Sequence, residues 1–449
     1  MKRLVIIWAL AGTTTAFAQD GVKETASAVF SLQQAVDYAL LNQANVKNAI
    51  LDEELARQKV NEITGIGLPQ INSSFDVQDF LEIPTSLIPA EIFGGPPGTF
   101  APVKFGTKYQ ATAGLSASQL LFSGEYFLGL KASKVFVELS KKATQSSRVD
   151  ITTKVSKAYY MVLLNQERSV LMDVNMTRLK KTLDDTKAVW ENGLAEKIDY
   201  DRLSVAYNNL LVEQENINRS LGLATYLLKF QMGMDVNANL VLTDKLADVK
   251  FDVSSMVSAD KFDYAKRAEY GIFETQFKLA QLDLKRNKVA YLPTAAAYGS
   301  LSGAAFRETF SIFSMGYGWF PTAVIGAKVT MPIFTGLQRH SRTQQAKIKV
   351  EQADNNLDAM KKAIDLELSS AFTSLQNASA SYNIQKKNIE IAEEVVRVAK
   401  IKMDQGVGSN LELVTAETAL KEAQTNYYSA LFDALAAKID FDKANGNIK

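Results

Sequence analysis

Few residues in this chain have the type and spacing needed for chemistry at an active site. Its 449 residues include one histidine, His340, and no cysteine. Because a zinc site needs several His or Cys ligands, we interpret His340, beside Arg339 and Arg342, as a solvated residue, with a metal ligand as the less favoured alternative. The sequence contains no Ser/His/Asp set, phosphate-binding loop or zinc-ligand spacing. We therefore expect no catalysis, no metal and no cofactor.

The bulk composition excludes several other classes of protein. The 50 basic and 49 acidic residues give a net charge of +1, so no electric field favours nucleic acid. The absence of cysteine excludes a disulfide framework and an N-terminal lipid on cysteine. A basic start, an apolar core and an Ala16-Phe17-Ala18 cleavage site predict a signal peptide at residues 1–18, with a short buried helix as the alternative. The rest of the sequence contains no run of eighteen apolar residues, so it predicts no membrane helix.

The longest element is a stretch from Leu337 to Gln405 that contains neither Gly nor Pro. Its apolar residues recur in alternating steps of four and three, interrupted only at Glu367 and Gln385. This heptad pattern is typical of a coiled-coil helix. At about 1.5 Å rise per residue the helix would be roughly 100 Å long, which indicates a function carried out across a long distance.

Two windows that hold all nine prolines, Pro69–Pro102 and Pro293–Pro332, predict strands. Two runs in which apolar and polar residues alternate lie within or just after the first window, and two lie within the second, so each run has one apolar and one polar face. The polar faces are small and hydroxyl-rich, as a water-filled barrel lumen requires. A soluble hairpin packed on a helix is the alternative. Aromatic residues at or near the ends of these runs would suit the two membrane interfaces: Phe80, Tyr109, Phe122, Trp319, Phe320 and Phe334.

The chain contains an internal duplication, in which each half reads helix, strand, long loop, strand, very long helix, turn and returning helix. Gly124 and Gly336 correspond, as do Gly193 and Gly406, at nearly constant register. We divide the chain into the signal peptide, a first repeat (19–231), a linker (232–260) and a second repeat (261–449). Strands are expected at about 71–80, 109–122, 295–303 and 322–334. Long and returning helices are expected at about 125–191, 198–231, 337–405 and 410–445.

These strands predict a homo-oligomer. Four strands cannot close a barrel, and their open edges would not be viable inside a bilayer. Because barrels have eight or more strands, two or three copies would supply eight or twelve. A wide pore favours three copies.

This duplicated plan resembles the TolC-like outer-membrane efflux protein family, also called outer membrane factors, over nearly all of the mature chain. The motifs that carry the resemblance are Phe30-Ser31-Leu32-Gln33-Gln34-Ala35-Val36, Leu68-Pro69, Leu292-Pro293 and the aromatic-Ser/Thr-Gly triplets at 122–124 and 334–336. The resemblance implies a mainly α fold with a transmembrane β-barrel portion, assembled as a homotrimer. A twelve-stranded barrel in the outer membrane would continue as a helical tunnel across the periplasm.

The resemblance also implies a function and partners. The protein would be a passive exit duct of a tripartite efflux or type I secretion system, gated at its periplasmic helix tips. It would meet a periplasmic adaptor and an inner-membrane pump of the RND or ABC type. The alternative is a periplasmic coiled-coil scaffold or adaptor without a pore, although the lipoyl-like domain expected of an adaptor is missing from the sequence. The exported substrate does not follow from the sequence.

The resemblance implies a pore constriction at acidic residues just past each tip turn. Six residues beyond Gly193 and Gly406, these are Asp199 and Glu412. In a trimer, six carboxylates would meet on one axis and favour cations. The alternative is that each is a solvated acid in the first turn of a helix, where the helix dipole favours negative charge.

The chain departs from the family pattern near both tips. Arg202 and Thr415 occupy the positions where relatives often have a second acid, and Trp190 and Met403 replace a tyrosine before the tip glycine. The bonds that close the gate are therefore expected to differ. The tips themselves resemble adaptor-docking turns, with ordinary helix-stop chemistry as the alternative. The docking residues so implied are Gly193, Leu194, Gly406, Val407, Gly408 and Ser409.

Overall fold

A computed structural model describes residues 28–194, 196–246, 262–312, 318–405 and 407–448. The predicted signal peptide, residues 1–18, lies outside the described residues, as do Gly406 and residues 247–260 of the predicted linker. No helix in the described ranges combines the length and apolar character needed to cross a membrane.

The described elements alternate between short strands and long helices. The strands are β1 (Ala28–Phe30), β2 (Gln70–Asp79), β3 (Thr85–Pro89), β4 (Phe100–Lys104), β5 (Tyr109–Phe122), β6 (Leu240–Leu242), β7 (Thr294–Arg307) and β8 (Phe320–Thr330). The helices are α1 (Leu32–Asn42), α2 (Ala44–Ile66), α3 (Gly124–Glu191), α4 (Lys197–Met232), α5 (Ala268–Val289), α6 (Gln338–Asp404) and α7 (Asn410–Ala444). The two very long helices, α3 and α6, contain 68 and 67 residues.

The main sheet is antiparallel and has the order β2-β5-β7-β8 among the described strands. The first repeat contributes β2 and β5, the second contributes β7 and β8, and the halves join where β5 pairs with β7. The outer strands β2 and β8 are exposed along almost their whole length. β8 ends at Thr330, before the predicted limit of 334, because Pro332 has no backbone N–H for a sheet ladder.

Two further strand pairs were not expected from the sequence. β1 pairs in parallel with β6, and β3 pairs with β4 as a hairpin inside the long loop between β2 and β5. Both pairs lack the period-two alternation that reveals a half-buried strand, since β1 and β6 have three residues each and the hairpin contains Pro89 and Pro102.

One compact unit draws its described residues from Met1–Ala39, Val155–Phe251 and Ile389–Phe432. The buried Tyr159 hydroxyl donates to the Asp244 carboxylate (2.9 Å) and to the Phe30 carbonyl (3.1 Å). Asp244 also accepts the Leu32 N–H (3.0 Å) and so caps α1. Burial and the hydrogen bond to Asp244 raise the pKa of the Tyr159 phenol, which therefore remains a donor.

The other unit draws its described residues from Leu40–Lys154, Asp252–Asn388 and Asp433–Lys449, and it contains the main sheet. One buried cation of this unit is Arg267, whose guanidinium lies 2.8 Å from Glu367, 3.2 Å from Glu269 and 3.0 Å from the Ala444 carbonyl. Glu367 interrupts the apolar seam of α6 because it neutralises this arginine, which would otherwise be a costly buried charge.

Candidate functional site at the helix tips

The first tip turn, between α3 and α4, is closed by backbone hydrogen bonds. The Gly193 N–H donates to the Trp190 carbonyl (2.8 Å) and the Leu194 N–H to the Val189 carbonyl (3.0 Å), which is the Schellman pattern. Gly193 has φ of 75°, a conformation that favours glycine. The turn leaves Leu194 81% exposed at the surface, while Ala195 lies outside the described residues.

The second tip turn, between α6 and α7, has a different construction. The N–H groups of Val407 and Gly408 both donate to the Lys402 carbonyl, each at 3.0 Å. A Cβ on Gly408 would lie 2.8 Å from the Met403 nitrogen, so the turn requires glycine here. Ser409 then caps α7, because its Oγ accepts the Glu412 N–H at 3.1 Å.

Asp199 and Glu412, the two acids predicted at the constriction, each lie beside a cation. Glu412 forms an ion pair with Lys402 (2.8 Å) across the second hairpin, and Asp199 lies 3.9 Å from Arg202 within the first turn of α4. Within the described part of one chain, no hydrogen bond or ion pair joins Asp199 to Glu412. Lys402 was not predicted as a partner, although it lies only four residues before the tip glycine Gly406.

An aromatic pair replaces the expected tyrosine contact at the first tip. The Trp190 and Tyr200 rings stack at 5.4 Å with an interplanar angle of 14°. This pair joins α3 to α4 directly behind the turn and fixes the first hairpin through apolar contact. The corresponding Met403 packs on the apolar cluster of the second hairpin.

Each hairpin of the tip has its own apolar seam. The first consists of buried residues of α3 and α4: Met172, Leu179, Leu183, Leu203, Leu210 and Ile217. The second consists of buried residues of α6 and α7: Val396, Ala399, Leu413, Ala416 and Leu420. The two clusters share no buried residue, and Val414 of α7 packs partly against the first. Each hairpin is therefore held together by burial of apolar surface.

Polar contacts join the two hairpins, in addition to the packing of Val414 on the first cluster. The Asn175 amide of α3 donates to Gln424 of α7 at 3.2 Å, and Lys421 of α7 forms an ion pair with Glu213 of α4. A cavity of about 180 Å³, lined by residues of α3, α4 and α7, lies beside these contacts. This interface was not predicted from the sequence, although Glu417, Lys421 and Gln424 follow one polar helical stripe next to the α7 seam.

The carboxyl group of Glu417 projects into the same interface. Burial raises the pKa of this carboxyl, while Arg178 and Lys400 act in the opposite direction. Glu417 is thus a partly desolvated acid between one cation of each hairpin.

The fold, with its long helical hairpins, is that of solved outer-membrane channels. The solved outer membrane channel CmeC of Campylobacter jejuni has this fold, with a TM-score of 0.72. It is 17% identical, and the match covers 92% of this chain and 85% of that one.

Sequence comparison leads to the same group. Residues 276–447 match the family described as "Outer membrane efflux protein". The chain is 22% identical to the probable efflux pump outer membrane protein TtgC of Pseudomonas putida, over 76% of this chain and 69% of that protein. It is 21% identical to the alkaline protease secretion protein AprF of Pseudomonas aeruginosa, over 72% of this chain and 67% of that protein. The family match, these relatives and the solved channels all indicate a TolC-like outer membrane factor, as the motifs of the sequence predicted.

Proposed function

We propose that the protein is the outer-membrane exit duct of a tripartite efflux or type I secretion system. It is a passive channel, gated at the periplasmic helix tips, and the proposal assigns no reaction to it. The main sheet carries the proposal, because its outer strands β2 and β8 are exposed and have no partner strand among the described residues. A sheet with such edges enters a bilayer only as part of a closed barrel.

Three copies of the chain supply this closure. Pairing of β2 in one copy with β8 in the next would make a barrel of twelve strands, within the range known for outer-membrane barrels. The alternating polar faces of the strands, which carry residues such as Thr322 and Lys328, would then line the lumen. The trimer would place three copies of each hairpin around one axis.

At that axis, Asp199 and Glu412 are proposed as the constriction. Six carboxylates on one axis attract cations and repel one another. Their neighbours Arg202 and Lys402 reduce this repulsion, so these ion pairs support a narrow arrangement of the tips. Opening then consists of moving one hairpin against the other across the polar contacts between them.

The partners of the duct are proposed to be a periplasmic adaptor and an inner-membrane pump of the RND or ABC type. Gly193, Leu194, Gly406, Val407, Gly408 and Ser409 would form the docking turns. Leu194 and Val407, which are 81% and 79% exposed, would supply apolar contacts. A groove of about 630 Å³ beside the Lys402–Glu412 pair offers further room for a partner helix.

Conductance in planar bilayers tests this function. Purified protein should form trimers that conduct ions with a preference for cations, and the double variant Asp199→Asn with Glu412→Gln should lower the cation preference several-fold. The matched control Glu215→Gln with Glu422→Gln removes two exposed carboxylates farther along α4 and α7 and should leave selectivity unchanged.

The outcomes separate the duct from its gate. Protein that forms neither a trimer nor a channel, and that fractionates with the soluble periplasm, would contradict the function and favour the scaffold alternative. A trimeric channel whose selectivity is the same in the double variant and the control would contradict only the assignment of Asp199 and Glu412.

A further inference from the structure

We propose that the turn between β8 and α6 is a binding surface for an anionic glycerophospholipid. This junction surface consists of Met331, Ile333, Phe334, Leu337, Arg339 and Arg342. The inference rests on the proposed function, because it requires the main sheet to lie in a lipid bilayer. The lipid would belong to the leaflet on the helix side of the sheet.

The apolar face of β8 continues beyond the end of the strand. Ile325 and Val329 share one face by alternation, and Ile325 is 91% exposed. Met331 and Ile333 follow the strand at the same sequence spacing, and Ile333 is 95% exposed. A continuous line of exposed apolar side chains marks contact with an apolar partner. For a strand within a bilayer, that partner is the acyl chain of a lipid.

The turn that follows β8 exposes a further apolar side chain, that of Leu337, whose backbone conformation is strained. Gly336 and Leu337 have φ of 59° and 62°, and Leu337 is exposed. Leu337 is the one residue other than glycine with positive φ among the described residues. A bulky side chain in this conformation is an outlier that marks a functional constraint. Exposure of Leu337 to water gives no compensation for the strain, whereas contact with lipid does.

Positive charge follows immediately, at the start of α6. The sequence has no acidic residue between Glu308 and Glu351. Arg339 and Arg342 form no ion pair with any residue that the structure describes, and Nη1 of Arg339 is buried without a hydrogen-bond acceptor there. Cations are unfavourable at a helix N-terminus because the helix dipole is positive at that end. An external anion would resolve this conflict.

The neighbouring helix end adds charge of the same sign. Thr294, at the start of β7, pairs with Thr330, at the end of β8, so the end of α5 and the start of α6 lie at the same end of these strands. The exposed Lys285 and Lys288, near the end of α5, therefore lie towards the same end of the strands. A group of cations beside exposed apolar residues is the arrangement by which proteins recognise anionic lipids.

The first repeat lacks this combination at its equivalent junction. Helix α3 begins with Glu125 in its first turn, and at the internal offset Phe127 and Leu130 occupy the places of Arg339 and Arg342. The positive charge of Arg339 and Arg342 is thus specific to the second repeat and is not a general feature of a strand-to-helix turn. A planar guanidinium matches a phosphodiester with two parallel hydrogen bonds. The four apolar side chains would contact the glycerol backbone and upper acyl chains.

Native mass spectrometry of the full-length protein, released from mixed vesicles of phosphatidylglycerol and phosphatidylcholine, tests the proposal. The protein should retain phosphatidylglycerol selectively, and Arg339→Gln with Arg342→Gln should reduce the retained amount by about tenfold. The control Lys386→Gln with Lys387→Gln removes two exposed charges from the same helix and should have no effect. Ile333→Ser with Phe334→Ser should also reduce retention while leaving the oligomer intact.

Several results would overturn the proposal. Equal retention of the two lipids, or equal loss in the arginine variant and the lysine control, would exclude specific headgroup binding. Displacement of the lipid by millimolar glycerol phosphate would identify a soluble phosphate site instead. Loss of the oligomer in the serine variant, with lipid retention unchanged, would assign the surface to a neighbouring copy. In each case a conducting channel would leave the proposed function intact.

Discussion

At the scale of single residues, Glu417 carries the clearest conflict between charge and burial. The carboxyl lies between the hairpins, where burial raises its pKa and where Arg178 and Lys400 do not fully offset the loss of hydration. An acid whose pKa is higher in the folded than in the unfolded state binds more protons when folded. Its ionised form therefore opposes folding, and the stability of the protein increases as the pH falls through the folded pKa towards the ordinary value.

Replacement of this carboxyl should stabilise the tip at neutral pH. Glu417→Gln should raise the thermal unfolding midpoint by a few degrees at pH 7.5, and the difference from the unmodified protein should shrink as the pH is lowered towards 5. The measurement is thermal unfolding in detergent between these pH values. Glu422→Gln, an exposed neighbour on α7, serves as the control and should change little. A destabilising effect of Glu417→Gln at pH 7.5 would contradict the argument.

The partners of single residues were the feature hardest to predict from the sequence. Glu367 was recognised as an interruption of the α6 seam, but its partner Arg267 lies 100 positions away and belongs to no local pattern. The tip acids followed from their distance to the glycines, whereas the Lys402–Glu412 pair depends on how two helices face each other. Local patterns identify the residue that breaks a rule, and only the folded chain supplies the reason.

At the scale of elements, the two tip hairpins are stabilised separately, and polar side chains contribute to the contacts between them. Each buries its own apolar cluster, and their mutual contacts include the Asn175–Gln424 hydrogen bond. Separation of buried apolar surfaces is costly, whereas exposed ion pairs contribute only about 0–1 kcal/mol each. The gate proposed above would therefore open between the hairpins and not within them.

Cross-links at two positions distinguish these movements. The chain has no cysteine, so a short reducible thiol cross-linker reacts only where cysteines are introduced. Asn175→Cys with Gln424→Cys ties the hairpins together, and channel openings should disappear on cross-linking and return with reductant. Ser169→Cys with Asn218→Cys spans a similar contact within the first hairpin (3.1 Å) and should leave openings unchanged. Loss of openings in both pairs, or in the control alone, would contradict independent hairpins.

The sequence predicts some elements far better than others, for physical reasons. A heptad seam repeats many times along α6, so the pattern is redundant and locates the helix without knowledge of its partners. The β3–β4 hairpin has five residues in each strand and contains prolines, so it offers almost no periodic signal. The β1–β6 pair joins segments about two hundred residues apart, and no local rule links Val29 to Val241.

At the scale of the whole molecule, the proposed assembly would complete the main sheet. Its outer strands, which pair with no further strand among the described residues, and its exposed faces would make a single copy prone to edge-to-edge association in water. In the proposed trimer, three copies would remove the edges and would place opposite faces of each strand in lipid and in the lumen. The sequence indicated the alternation and the need for closure, but a pattern within one chain cannot specify which edge meets which.

The two faces of β8 provide the decisive test of this arrangement. Ile325 lies on the face assigned to lipid, and Val324, its neighbour in the strand, lies on the face shared with Lys328 and assigned to the lumen. Ile325→Lys should destabilise the inserted barrel by about 2–4 kcal/mol, because the charge would lie near the middle of the bilayer. Val324→Lys should be tolerated, since a water-filled lumen hydrates the added charge. The measurement is the amount of trimer in outer-membrane fractions on native gels. If both variants assemble equally, or if only Val324→Lys fails, the strand faces are assigned wrongly and the β2–β8 closure would have to be abandoned.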